Sequence, residues 1–224
     1  MGRFKPQAIM HFAAKSLVGE SMEDPFLYLG DNVSNALNLL KCVVEFEVPR
    51  FILSSTANLF DDPERMPIAE DERIIPGSPY GESKYIIERY LHWMSRIYPF
   101  FNYAALRYFN AAGASEDSTL GEDWRFSQNL IPHVMKAVLG FAPALTVFGN
   151  DFPTPDGTGV RDYIHVEDLA RAHVAALDYL AKGGDSITCN VGTGHGTSVM
   201  DIIATTERVT GKKVPYEIAG RRAG

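Results

Sequence analysis

Cysteine is scarce in this sequence. The 224 residues carry 2, Cys42 and Cys189, each inside an apolar segment, so no disulfide framework is expected. Both read as buried thiols suited to a reducing cytoplasm. No apolar run approaches the ~18 residues of a membrane-spanning helix. The opening Met1-Gly2-Arg3-Phe4-Lys5-Pro6 has no secretory character, and Pro6 stands where a myristoylation site wants Ser or Thr. Positive charge is also in short supply. Lys and Arg number 21 against 28 Asp and Glu, giving a formal charge of -7 and a pI near 5.4, which argues against a nucleic-acid-binding surface. The cysteines and histidines show no metal-ligand spacing, so no metal is expected. Internal repeats and low-complexity tracts are missing too. With 46% hydrophobic and 22% charged residues, what remains is the composition of a soluble globular protein, long enough for one domain or one and a half.

What is present is organised around Ser78-Pro79-Tyr80-Gly81-Glu82-Ser83-Lys84. Pro79 and Gly81 read as a turn, followed by a helical stretch from Ser83 to Ile97 with Ile86, Ile87, Tyr90, Leu91 and Met94 at helical spacing. Tyr80 and Lys84 are four apart and share a face if both are helical. A phenol titrates near ~10, too high for a base at neutral pH, and a nearby ammonium favours the phenolate. The pair could thus form a general base. Alone, it reads more readily as a surface tyrosine and lysine. Upstream, Arg50-Phe51-Ile52-Leu53-Ser54-Ser55-Thr56 is a short apolar run tipped with hydroxyls. A strand of this kind places donors at a sheet's carboxyl end, where open α/β sheets bind ligands; the alternative is that the hydroxyls only satisfy backbone where the strand ends.

Around these, Gln7–Phe12 reads as a buried strand running into the small residues Ala13 and Ala14, and Asn35–Phe46 as an amphipathic helix. Strands follow at Phe51–Ser54 and Tyr103–Leu106. Strand and helix alternating in this rhythm predict an α/β fold with a doubly wound parallel sheet. After Ala111 the pattern changes to a polar loop over 113–127, a helix over Leu130–Leu139, a strand over Leu145–Phe148 and dense turns to Gly159. A helix after His165, a strand at Ile187–Val191 and a last helix from Ser198 to Thr210 before Gly211 complete it. Gly192-Thr193-Gly194-His195-Gly196 falls between strand and helix as a dinucleotide turn would. Its spacing is one residue short of G-x-G-x-x-G, so it reads as a tight turn and not a pyrophosphate site. His11 reads as a satisfied core histidine and His165 as a brace for the helix that follows.

Read together, His11-Phe12-Ala13-Ala14, Ser54-Ser55-Thr56-Ala57, Tyr80 to Lys84, Arg107-Tyr108-Phe109-Asn110, Asn129-Leu130-Ile131-Pro132, Asp156 to Val166 and Arg221 to Gly224 resemble the extended short-chain dehydrogenases that act on nucleotide sugars, nearest to the UDP-glucose 4-epimerases. The resemblance implies a partial Rossmann-like sheet with part of a smaller substrate domain. Residues 1–112 would be NAD-binding, and 113–224 would largely bind substrate, with some segments returning to the sheet. It implies NAD as cofactor and 4-epimerisation of a UDP-hexose through transient oxidation at C4, in the cytoplasm. By the same resemblance the catalytic residues are Thr56, Tyr80 and Lys84. The NAD site is Phe12, Ala13, Ala14, Asp31, Ser54, Tyr80, Lys84 and Phe109. The UDP-sugar is held by Thr56, Asn58, Tyr80, Asn110, Asn129, Leu130, Val147, Phe148 and Arg161, whose guanidinium fork suits a diphosphate.

The chain departs from the family at Thr56-Ala57-Asn58-Leu59-Phe60, which alters the expected sugar contacts. Ala57-Asn58 also lacks the acid and base that a 4,6-dehydratase needs, which ranks that chemistry lower. Measured against the family pattern, about two βα units and their Gly-rich turn would precede Gln7, and lid residues would follow Gly224. The alternative expectation is therefore a truncated, non-catalytic fragment. Longer relatives imply a homodimer formed through helices such as Asn35–Phe46 and Ser83–Ile97.

Overall fold

The computed structural model describes residues 1–221. Arg222, Ala223 and Gly224, the end of the last stretch that resembles the family, lie outside the described residues. In chain order the elements begin β1 (Ile9–His11), α1 (Val18–Glu23), α2 (Pro25–Tyr28), a π-helical turn over Leu29–Ser34, α3 (Asn35–Glu45), β2 (Arg50–Ser54), α4 (Pro79–Ile97) and β3 (Asn102–Tyr108). They continue β4 (Asn110–Ala112), α5 (Leu130–Val138), β5 (Leu145–Phe148), β6 (Val160–Arg161), β7 (Tyr163–His165), α6 (Val166–Ala181), β8 (Ile187–Val191), β9 (Thr197–Ser198), α7 (Val199–Thr210) and β10 (Tyr216–Ala219). Contacts divide the described residues into two units: residues 1–109 with 168–191, and residues 110–167 with 192–221.

In the first unit, alternation along the central strands decides which helix each side chain meets. Phe51 and Leu53 of β2, with Tyr103 and Ala105 of β3, join Ala36, Leu40 and Val43 of α3 and Ile87, Leu91 and Met94 of α4. The intervening Ile52, Ala104 and Leu106 join Ala176 and Leu180 of α6. A strand with both faces covered must be apolar on both, as β2 and β3 are. The sheet has the order β1-β2-β3-β8 with every pair parallel, the doubly wound arrangement expected. β1 is shorter than the Gln7–Phe12 strand expected.

Two departures from expectation bear on the site. α4 begins at Pro79, not Ser83: Ser78 caps it by accepting from the Gly81 N–H at 3.1 Å, and Pro79 takes the first turn. Proline is favoured there because its missing N–H would have no helical partner. The segment from Val18 to Ser34, with no readable period, folds as α1, α2 and the π turn. The thiols Cys42 and Cys189 are free and half-buried rather than buried; Cys42 sits at the margin of the α3 apolar stripe, beside buried Val43.

In the second unit, α5 and α7 cover β5, with Val134, Ala137, Leu145, Val147, Ile203 and Val214 at the centre. β5 pairs with β10, β4 with β7 and β6 with β9. Strands β4, β6, β7, β9 and β10 were not foreseen from sequence. Ser198 and Asp201 cap α7 reciprocally, and Gly211 ends it in the left-handed region at φ 68°. His165 braces α6 as expected, its Nδ1 accepting from the Glu167 N–H at 3.2 Å. The Gly192–Gly196 turn is explained by Asp162. Its carboxylate accepts from the Thr193 and Gly194 N–H groups at 2.9 and 2.7 Å and from the Thr193 hydroxyl at 2.8 Å.

Candidate active site

The N-terminal half of α4 carries the site because its buried stripe changes character along its length. Tyr80, Lys84 and Glu88 lie four apart on the stripe that continues as Leu91 and Met94, and all are buried. Four-residue spacing stacks them on one face. The stripe is therefore ionisable where it passes the carboxyl end of β2 and apolar where it passes the middle of the sheet.

Lys84 is 3% exposed, and its Nζ donates to the Ser54 carbonyl at 2.8 Å. An ammonium has three donors, so two remain uncommitted among the described residues. Desolvation lowers its pKa to about 8, with the Glu88 carboxylate working in the opposite direction. Tyr80 lies beside it, with the ammonium 6.0 Å from the ring centroid. Burial pushes the phenol above its ordinary value, Tyr108 and Tyr28 add to this, and a hydrogen bond from Thr56 works against it. Burial thus outweighs the depression expected from the lysine in the protein alone. Tyr28, fully buried, sets its ring edge-on to Tyr80 with centroids 6.4 Å apart.

Thr56 follows directly on the β2 end and accepts from the Asn58 N–H at 3.1 Å. Asn58 Oδ1 accepts the Ser78 hydroxyl, which ties its amide oxygen to the start of α4. Gly81 packs there too: a Cβ would lie 2.5 Å from the Asn58 carbonyl oxygen. Gly81→Ala gains helix propensity but must displace that backbone. We expect a net loss of about 1–3 kcal/mol in denaturant unfolding, with an unchanged midpoint excluding the close approach.

At the end of β1, Phe12 and Ala13 are exposed and Ala14 is half-buried. The Phe12 ring lies 4.8 Å from that of His173. Ser54 donates to the Tyr108 hydroxyl at 3.1 Å, and the Phe109 N–H donates to Val191 at the β8 end. His11 is buried but not satisfied, contrary to expectation: its Nδ1 has no partner among the described residues, and burial and Lys84 both disfavour its charged form. Asp31 is exposed. The buried side chain of that turn is Asn32, whose Oδ1 accepts from the Lys15 N–H at 2.8 Å and whose Nδ2 donates to the Lys15 carbonyl and the Ser83 hydroxyl, both at 3.0 Å. Nothing in the local sequence distinguishes it.

The other expected substrate residues belong to the second unit. Asn110 is exposed on β4, its N–H donating to Asp162 O. Asn129 precedes α5 and donates to Glu122 at 2.7 Å, and Leu130 packs at the edge of the core. Val147 is buried in that core, so its side chain is committed to packing, whereas Phe148 at the strand end is exposed. Arg161 is exposed and donates to Val160 O, with no ion pair among the described residues.

Two functional candidates were missed from sequence besides Asn32, namely Glu88 and Arg107, and Ser55 was read only as one of the hydroxyls that tip the strand. Ser55 and Glu88 meet at 2.5 Å, and Arg107 donates to both Glu88 oxygens.

Known proteins resemble this chain over nearly its whole length. The chain is 41% identical over 220 residues to UDP-glucose 4-epimerase of Lacticaseibacillus casei, covering 98% of this chain and 66% of that one. The crystal structure of UDP-glucose 4-epimerase from Brucella ovis in complex with NAD superposes with a TM-score of 0.95 at 44% identity, over 100% of this chain and 69% of that one. The Bifidobacterium longum UDP-glucose 4-epimerase in complex with NAD+ and UDP gives 0.90 at 40% identity, over 97% and 65%. The chain therefore spans about two thirds of the length of these relatives. Residues 1–192 match the model of one family throughout, across the hydroxyl-tipped strand and the Tyr80–Lys84 helix alike, and the chain belongs to the NAD dependent epimerase/dehydratase family.

Proposed function

We propose that this chain carries the catalytic residues of a UDP-hexose 4-epimerase, acting on UDP-galactose and UDP-glucose with NAD. The observation that carries the reading is the meeting of Tyr80, Lys84 and Thr56 at the carboxyl end of β2, around a buried ammonium with two uncommitted N–H donors. A ribose diol satisfies such donors, and a buried donor left without a partner is costly. Phe12, Ala13, Ala14, Ser54 and Phe109 supply the neighbouring wall. Bound NAD would supply the hydride acceptor for C4 and a positive charge that favours the Tyr80 phenolate.

Tyr80 takes the proton of the sugar 4-hydroxyl and returns it to that same oxygen once the 4-ketone has turned over and been reduced on its other face. Thr56 holds the reacting oxygen. Lys84 keeps positive charge beside the phenol and orients the ribose. Arg161 takes the diphosphate, with Asn110, Asn129, Leu130 and Phe148 as the remaining candidates for the UDP-sugar. A 4,6-dehydratase is disfavoured: Ala57 has no proton to give, and Asn58 is committed to Ser78.

The test is the NAD released from the purified 224-residue chain on denaturation, followed by conversion of UDP-galactose to UDP-glucose. Stoichiometric NAD with conversion supports the reading. Failure to hold NAD even when it is supplied overturns it for this chain, which is then a non-catalytic fragment of such an enzyme.

We extend the proposal to a homodimer formed through α3 and α4, in a reducing cytoplasm that keeps Cys42 and Cys189 as thiols. Tyr90, Trp93 and Ile97 of α4 are 48%, 52% and 61% exposed, more apolar surface than one helix flank ordinarily leaves to water. Sedimentation is expected to show a concentration-dependent dimer that Trp93→Glu dissociates. A monomer at every concentration counts against it.

A further inference from the structure

We propose that Glu88 and Arg107 are positioning residues: through Ser55 they fix the β2 end against the catalytic helix, and so hold Thr56 and the Ser54 carbonyl in register with Tyr80 and Lys84. The inference rests on the epimerase reading for its consequence in turnover, but not for its geometry.

Two rungs join α4 to the β2 end. The first is Lys84 Nζ on the Ser54 carbonyl at 2.8 Å. The second, one helical turn further on, is the Ser55 hydroxyl on Glu88 Oε1 at 2.5 Å. Glu88 is then gripped from β3: Arg107 Nε donates to both carboxylate oxygens at 3.1 Å, and a terminal guanidinium nitrogen donates to Oε2 at 2.7 Å. Arg107 is itself seated over the Phe60 ring, 5.4 Å from the centroid. The Ser55 N–H donates to Leu106 O at 2.9 Å, tying the same residue to β3 by its backbone. Helix and both strands therefore converge on one carboxylate. Ser55, between the residue that holds Lys84 and the residue proposed to touch substrate, cannot shift without moving both.

All three side chains are buried. A buried ion pair is a weak source of stability, since an apolar pair of similar volume in its place is often neutral or stabilising. Directional hydrogen bonds, unlike apolar contacts, fix a register. Glu88 has a second effect. The groups facing the Lys84 ammonium are Tyr80 and Glu88 on its own helix, His11 from β1 and the Ser54 carbonyl from β2, with Arg107 behind Glu88 from β3. Glu88 is the anion among them, and it favours the charged ammonium.

The experiment compares Ser55→Ala, Glu88→Gln and the apolar double variant Glu88→Met/Arg107→Leu with the parent 224-residue chain. Thermal unfolding establishes folding. Lysine 15Nζ/13Cε NMR, with the Lys84 resonance assigned by its loss in Lys84→Met, reads the titration midpoint of that ammonium. Turnover of UDP-galactose is resolved into kcat and KM across pH. We expect the double variant to fold, its Lys84 midpoint and that of Glu88→Gln to fall by about one pH unit, and kcat in Ser55→Ala and the double variant to fall at least about tenfold. KM is expected to stay within about threefold, since the substrate contacts themselves are untouched. A folded double variant with unchanged midpoint and unchanged kcat overturns the proposal, as does failure of the double variant to fold, which would make the pair structural. Should the parent chain lack activity, the epimerase reading fails while the NMR midpoint still decides this inference: an unmoved midpoint in Glu88→Gln and the double variant overturns it.

Discussion

Tyr80→Phe is expected to lower turnover of UDP-galactose by about 10²- to 10⁴-fold, the usual worth of a positioned general acid–base group, while leaving bound NAD and the unfolding temperature near those of the parent. The phenol oxygen is the only atom removed. The ring that packs edge-on to Tyr28 stays in place, and the buried hydroxyl whose ionisation burial disfavours is gone. The loss should fall on kcat, since proton transfer belongs to the transition state and not to substrate capture. Parallel assays of conversion, NAD content and thermal unfolding check it. Retained turnover would mean that another group moves the proton, and a large fall in unfolding temperature would mean that the phenol is a structural hydroxyl.

The second large effect is on stability, through Lys84. Its folded pKa of about 8 lies below the 10.5 of a free lysine, with desolvation as the first cause. Below about pH 8 folded and unfolded chains both carry the proton, and the folded chain bears the full cost of a buried charge. Between about pH 8 and 10.5 the unfolded chain holds a proton that the folded chain has released, so raising the pH favours folding. Lys84→Met has no such group, and its loss of the Ser54 hydrogen bond does not vary with pH. The stability of the parent relative to Lys84→Met should therefore rise by about 2 kcal/mol between about pH 7 and about pH 9.5. Denaturant unfolding of both proteins at the two pH values measures it. A flat difference would place the ammonium in water rather than under the sheet.

Much of the first unit was legible because its signals are local and periodic. The alternation of Phe51, Ile52 and Leu53 announces a strand covered on both faces, and Ile87, Leu91 and Met94 announce the helix beside it. The error at the start of α4 came from reading Pro79 and Gly81 as turn formers, when proline suits a first helical turn and Gly81 answers the approach of Asn58. Asn32 was invisible for a different reason: its partner Ser83 is 51 residues away, and it sits in a π turn without hydrophobic period. Glu88 did leave a mark, a charged residue on an otherwise buried stripe four positions after Lys84. The Arg107 that justifies it lies on β3, 19 residues further along the chain. Strand alternation sends the Val147 side chain into the core of the second unit, a placement that a role carried over by resemblance does not foresee.

The turn at Gly192–Gly196 carries a last consequence. Its amides form the concave cluster of donors that elsewhere captures phosphate, yet here the protein brings its own counter-ion, in the Asp162 carboxylate. The loop is thus self-quenched: the Thr193 and Gly194 amides are already engaged by a carboxylate of the same chain. Removing it as Asp162→Ala would leave those amides without their carboxylate, beside the chain's own candidate phosphate ligand.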